Sequence, residues 1–110
     1  MKASNYGAVR CIVIFAEIVT NQHYNDFFFV VDEVIRDNFE NVKSGLQSDG
    51  WIWVTQSEEK VAIDTFSSML FEVKCDDPNS GLLKSVIDCL QGNLDLKIFP
   101  KPEFEEHEDF

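Results

Sequence analysis

The chain has 110 residues, 45% of them hydrophobic with ten Phe, and twenty acids against nine Lys and Arg give it a formal net charge of −11. That length suits one domain around a single core, and the apolar content excludes a chain disordered throughout. The acidic balance repels nucleic acid and anionic membrane and steers the chain toward cationic partners, although solubility alone also accounts for such a charge.

Residues 8–19 are rich in β-branched side chains and contain no Gly or Pro, so they read as a strand. Val9, Cys11, Val13 and Phe15 fall on one face of it, and Ile12, Ile14, Ala16 and Ile18 on the other. Two apolar faces place such a strand in the interior of a covered sheet. Arg10 and Glu17 interrupt the run, which is too short to span a bilayer. The N-terminus also lacks the charged region, apolar stretch and cleavage site of a signal peptide. Cys11, Cys75 and Cys89 are odd in number and form no C-x-x-C pair, which fits small buried thiols in a reducing compartment. The expectation is a soluble, cytoplasmic protein.

From His23 to Leu46 the pattern reads as one long amphipathic helix. Phe28, Val31, Ile35, Phe39, Val42 and Leu46 recur at helical spacing, and Phe27, Val30 and Val34 widen their arc. Asp26, Glu33, Asp37 and Glu40 line the far side. Asn25 or Asp26 suits the start and Gly45 the stop. An apolar stripe of this kind is ordinarily core, and an acidic stripe is ordinarily a solvated face.

The cluster Gln47-Ser48-Asp49-Gly50 turns the chain into a strand from Trp51 to Thr55, with Ile52 and Val54 on one face and both indoles on the other. Paired Trp side chains are either buried by a covering segment or exposed for recognition. After the polar Ser57–Lys60, Val61–Phe66 reads as a returning strand in preference to a short helix. Met69–Cys75 alternates as a half-buried strand, with Leu70, Glu72 and Lys74 on its open side. Ser80 is placed to cap a helix carrying Leu83, Val86, Ile87 and Leu90, with Gly92 at its end. Leu94–Phe99 alternates as a last strand until Pro100 and Pro102 end it. The expected fold class is α+β, a single antiparallel sheet of ferredoxin-like βαββαβ order with two helices on one face, and a plain antiparallel sheet with two helices is the alternative. One domain covers 1–102, followed by an acidic tail at 103–110.

Catalysis finds no support in the residues. His23 and His107 lie in no motif with a Cys or Ser, and no phosphate loop, dinucleotide fingerprint or zinc motif occurs. Asp76-Asp77 followed by Asn79 is a turn without the spacing of a calcium loop. No enzyme, metal or cofactor is expected, and the dispersed bases form no stripe for nucleic acid. The acids gather in three places: the helix stripe, the Glu58-Glu59 turn, and the tail with Glu103, Glu105 and Glu106. With Trp51 and Trp53, and with Phe104 and Phe110 in the tail, they form a candidate surface for a basic protein.

The stretch Val61-Ala62-Ile63-Asp64-Thr65-Phe66-Ser67-Ser68-Met69-Leu70-Phe71-Glu72-Val73-Lys74 and the ending Pro102-Glu103-Phe104-Glu105-Glu106-His107-Glu108 resemble the immunity proteins of bacterial polymorphic-toxin and contact-dependent growth inhibition systems. The resemblance is one of kind, and no functional motif comes with it. It implies a non-catalytic antitoxin that occludes a cognate basic toxin, frequently a nuclease domain, through an acidic surface, acting as a monomer or homodimer. Two other classes compete. A nucleic-acid mimic of the anti-restriction or anti-CRISPR type calls for acids spread at the spacing of duplex charge, about one per 1.7 Å of axis, and here they concentrate on one helix face and a tail. A dimeric ferredoxin-like module holding a small ligand on its open sheet face is the third.

Overall fold

The structure, a computed structural model, describes residues 10–107, with side chains from 12 to 104. In chain order the elements are β1 (Arg10–Ile18), α1 (Tyr24–Asn38), β2 (Val42–Leu46), β3 (Gly50–Gln56), β4 (Glu59–Asp64), β5 (Glu72–Cys75), α2 (Gly81–Asn93) and β6 (Leu96–His107). The strands form one open sheet in the order β2-β3-β4-β5-β1-β6, every neighbouring pair antiparallel. β5 and β6 therefore run parallel to each other with β1 inserted between them, and α2 makes the crossover. The fold is α+β with two helices, but six strands replace the four of the expected ferredoxin-like order.

Of the two strands beyond that order, β4 follows the strand reading of Val61–Phe66, and β2 replaces the end of the expected helix. α1 stops at Asn38: Phe39 is extended at φ −135°, and its N–H closes the last turn on the Ile35 carbonyl at 2.9 Å. Val42–Leu46, expected as the end of the long helix, instead pairs with β3 from Val42↔Val54 to Leu46↔Gly50. A spacing of four residues keeps two side chains on one face of a helix and also, being even, on one face of a strand. Val42 and Leu46 pack against the core either way. Gly45 is no helix stop; a Cβ there would lie 2.7 Å from the Trp51 ring, so its hydrogen lets the indole lie across β2. The segment left open between strand and helix is β4, joined to β3 by Ser57 (φ 50°) and Glu58 (φ 67°), two left-handed residues of a hairpin turn whose twist matches its strands.

The core lies between the sheet and the helices. Phe27, Phe28, Val31 and Ile35 of α1 and Leu82, Leu83, Val86 and Leu90 of α2 form one cluster with Ile52, Val54, Val61, Ile63, Val73 and Cys75. β1 divides its side chains differently from a plain alternation. A register shift between Ile14 and Ala16 turns Ala16 and Ile18 into this cluster, while Ile12 and Ile14 are buried outside it. Ala8 and Val9 of the expected strand lie outside the described residues.

Ser80 caps α2 as expected, accepting from the Leu83 N–H at 3.0 Å, but Gly92 lies inside the helix, which ends where the Leu94 N–H meets the Leu90 carbonyl. Met69 is exposed and precedes β5, which is shorter than the alternation suggested. The prolines do not end the last strand. Ile98 pairs with Ala16 and Glu103 with Ile14, so residues 99–102, with Pro100 and Pro102, loop out of register and the ladder resumes. Residues 103–107, read from the sequence as tail, are strand.

Candidate functional site

Helix α1 is fixed at both ends by local chemistry. His23 is its N-cap, with Nδ1 accepting from the Asn25 N–H at 3.1 Å and the ring stacked on Tyr24 at 4.5 Å. Neither Asn25 nor Asp26 takes that place. The Tyr24 hydroxyl donates to the Ser48 carbonyl and ties the first turn to the β2–β3 loop. With Phe28, Val31 and Ile35 turned to the core, about 100° per residue turns Asp26, Phe29, Val30, Glu33 and Asp37 outward within one arc, and all five are exposed. Phe29 is 63% exposed, and Val30, expected on the core side, is 39% exposed. Glu40, exposed, follows the helix in the connection to β2.

Asp26, in the first turn, suits the positive end of the helix, but the rest of the stripe works against it. Glu33 and Asp37 stand four apart as like charges, and Asp37 lies in the last turn, where the macrodipole disfavours an anion. The one base of α1, Arg36, turns sideways to Asp32 at 3.1 Å and to the Ser44 hydroxyl at 2.7 Å. Among the described residues no ion pair reaches Asp26, Glu33, Asp37 or Glu40. The result is an acidic rim around two exposed apolar side chains.

The other expected binding residues do not join it. Trp51 and Trp53 point to the sheet face away from the helices, half-buried, with ring centroids 4.6 Å apart and the Lys60 ammonium 3.9 Å over Trp53. They pack on each other, on Gly45 and on Lys60. Glu59 serves the fold: its Oε1 accepts from the Ser80 hydroxyl and from the Leu82 N–H, and these bonds, Ser80 first, hold its carboxyl below the ordinary value of 4.5. Glu58 is exposed in the β3–β4 turn, and Glu103 is exposed on β6. The side chains of Glu105 and Glu106 lie outside the described residues, as does all of Phe110. The structure thus separates the sequence's single candidate surface into an α1 face, a tryptophan pair on the opposite side, and scattered acids.

No known family, curated protein or solved structure matches this chain. Function must therefore be read from the geometry of the site.

A second cluster escaped the sequence. On the face turned away from the helices, register sets Asp64 of β4 beside Glu72 of β5 and Glu72 beside Glu17 of β1, three carboxylates in one row. Lys74 is 1% exposed, and its Nζ lies 2.7 Å from Asp64 Oδ1 and 3.9 Å from Glu72 Oε1, with Ser67 Oγ at 3.0 Å. Alternation marked Glu72 and Lys74 as the open side of a strand, yet both are buried. A charged residue between apolar neighbours is the only trace of this in the sequence. Beside the row, Glu17, Glu72, Lys97, Phe99, Pro100, Lys101 and Glu103 line a cleft of about 500 Å³. The Asp64–Lys74 contact has the geometry of a structural ion pair, whose worth lies in mutual neutralisation.

Among the described residues, no group of three His, Cys, Asp or Glu is placed to hold a metal, and no helix is long and apolar enough to cross a membrane. Cys75 and Cys89 both have thiol values raised by burial, the opposite of an activated nucleophile.

Proposed function

We propose that this chain is a non-catalytic inhibitory binding protein, an immunity protein that neutralises a cognate basic toxin in the cytoplasm by covering its active site. The observation that carries the reading is the outward face of α1, where Glu33 and Asp37 stand four apart as like charges, Asp37 in the last turn, and with Asp26 surround exposed apolar side chains. A toxin acting on a polyanion needs a cationic active site, and an acidic cover would engage it with fast association and affinity that falls with salt. Acids set around exposed apolar side chains, as on α1, favour a protein partner over imitation of a duplex.

The test is co-expression. The C-terminal part of the protein encoded immediately upstream is produced in one host with and without this chain. The reading expects growth arrest without the chain, growth with it, and co-purification that weakens as salt rises. An upstream product that is harmless, or toxic whether or not the chain is present, overturns it.

A further inference from the structure

We infer that the outward face of α1 is the docking surface for a cationic protein, with Phe29 and Val30 as its apolar centre and Asp26, Glu33 and Asp37 as its rim. The inference rests on the inhibitor reading and deepens it by naming the groups of that face, Phe29 and Val30 as the anchor and Asp26, Glu33 and Asp37 as the acids that meet the partner's cations. Phe29 is 63% exposed although its neighbour Phe28 is 5% exposed in the core, and the two rings meet edge to face at 5.3 Å. An aromatic ring held against a core residue loses little freedom when it is covered, which is the condition under which an aromatic anchors an interface.

The charges around it select the occupant. A second copy of this chain, at −11, would bring acid to acid, and an anionic membrane or nucleic acid is repelled in the same way. A protein with Lys and Arg around a shallow apolar depression meets both features at once. Asp26, Glu33 and Asp37 take its cations at the rim, and Phe29 enters the depression. The indoles of the opposite sheet face offer no such anchor, because they are engaged with each other and with Lys60, and the cleft on that face mixes Lys97 and Lys101 with its acids.

The experiment is a titration of the ¹⁵N-labelled full chain with egg-white lysozyme, a basic protein, at low ionic strength. Amide shifts are expected to centre on Asp26, Phe29, Val30, Glu33 and Asp37. Phe29→Ala is expected to weaken binding at least about fivefold, as does truncation of an interface anchor. Glu33→Lys with Asp37→Lys is expected to weaken it more than Asp88→Lys with Asp95→Lys, although each pair raises the formal net charge by four. Shifts centred on another face, unchanged affinity for Phe29→Ala, or equal losses from the two charge pairs overturn the inference. Phe29→Ala alters an exposed helix position, so the variant folds. Because lysozyme replaces any cognate toxin, this titration can fail while co-expression still protects, and can succeed where co-expression fails.

Discussion

Lys74 is the residue whose surroundings depart furthest from its nature. An ammonium 1% exposed is tolerated because Asp64 lies 2.7 Å away and Ser67 accepts a further bond. Lys74→Met removes the cation and leaves its carboxylate partners buried, so unfolding in urea is expected to show a loss of about 3–5 kcal/mol. Glu59 answers a subtler measurement. Its carboxyl is held below 4.5 in the folded chain, so its charge stabilises the fold above that pH, and the contribution disappears as pH falls through the lower folded value. Glu59→Gln is therefore expected to be less stable than the parent at pH 7, with the gap between their denaturation midpoints closing in acid. The sequence marked Glu59 as a binding acid because a turn acid and a capping acid look identical in one dimension. What separates them is the helix N-terminus that the β4–α2 packing brings beside it. Lys74 was hidden for a related reason: alternation tells which side of a strand a residue occupies, not whether that side is covered.

At the scale of elements, the signals that survived were those with a single physical meaning. Ser80 caps the helix it was placed to cap, and the turn at residues 47–50 leads into a strand, as expected. Spacing by four, by contrast, satisfies helix and strand alike, and the long helix of the sequence became a helix and a strand. The β3–β4 turn places Glu58 at φ 67°, a left-handed conformation that L side chains resist. Glu58→Gly removes that resistance where the backbone already has the glycine shape, and thermal unfolding is expected to show a gain of up to about 1 kcal/mol. Within α1 the expectation has two opposed parts. Asp37→Lys places a cation in the last turn, four residues after Glu33, and is expected to stabilise the chain by about 0.3–1 kcal/mol while weakening capture of a basic partner. A variant that gains stability and keeps its affinity would show the stripe to be only a solvated face. The exposure of Asp26, Glu33 and Asp37 on this face was legible in the sequence. Its apolar centre was not, because Phe29 and Val30 sit in a run of five apolar residues where periodicity alone cannot say which side chains the core has room for.

Over the whole molecule, the net charge of −11 is a field as well as a tally. If that field guides a partner to the α1 face, the association rate constant should fall steeply between low and physiological salt, while the dissociation rate changes less. Stopped-flow mixing with lysozyme at several salt concentrations measures both, and a salt-independent association rate would show that the charge serves solubility alone.

The looped-out residues 99–102 have a bearing on what happens when many copies of this chain meet. β6 is an outermost strand of an open sheet, twelve residues long, and an uninterrupted strand of that length would be a template for another chain to zip onto. Pro100 and Pro102 carry no N–H, and their loop breaks the straight run of donors and acceptors in the middle. The other outermost strand, β2, is five residues long and carries Lys43. With both borders blunted, neither edge offers a long flat template, and the geometry works against edge-to-edge growth of many copies into fibrils.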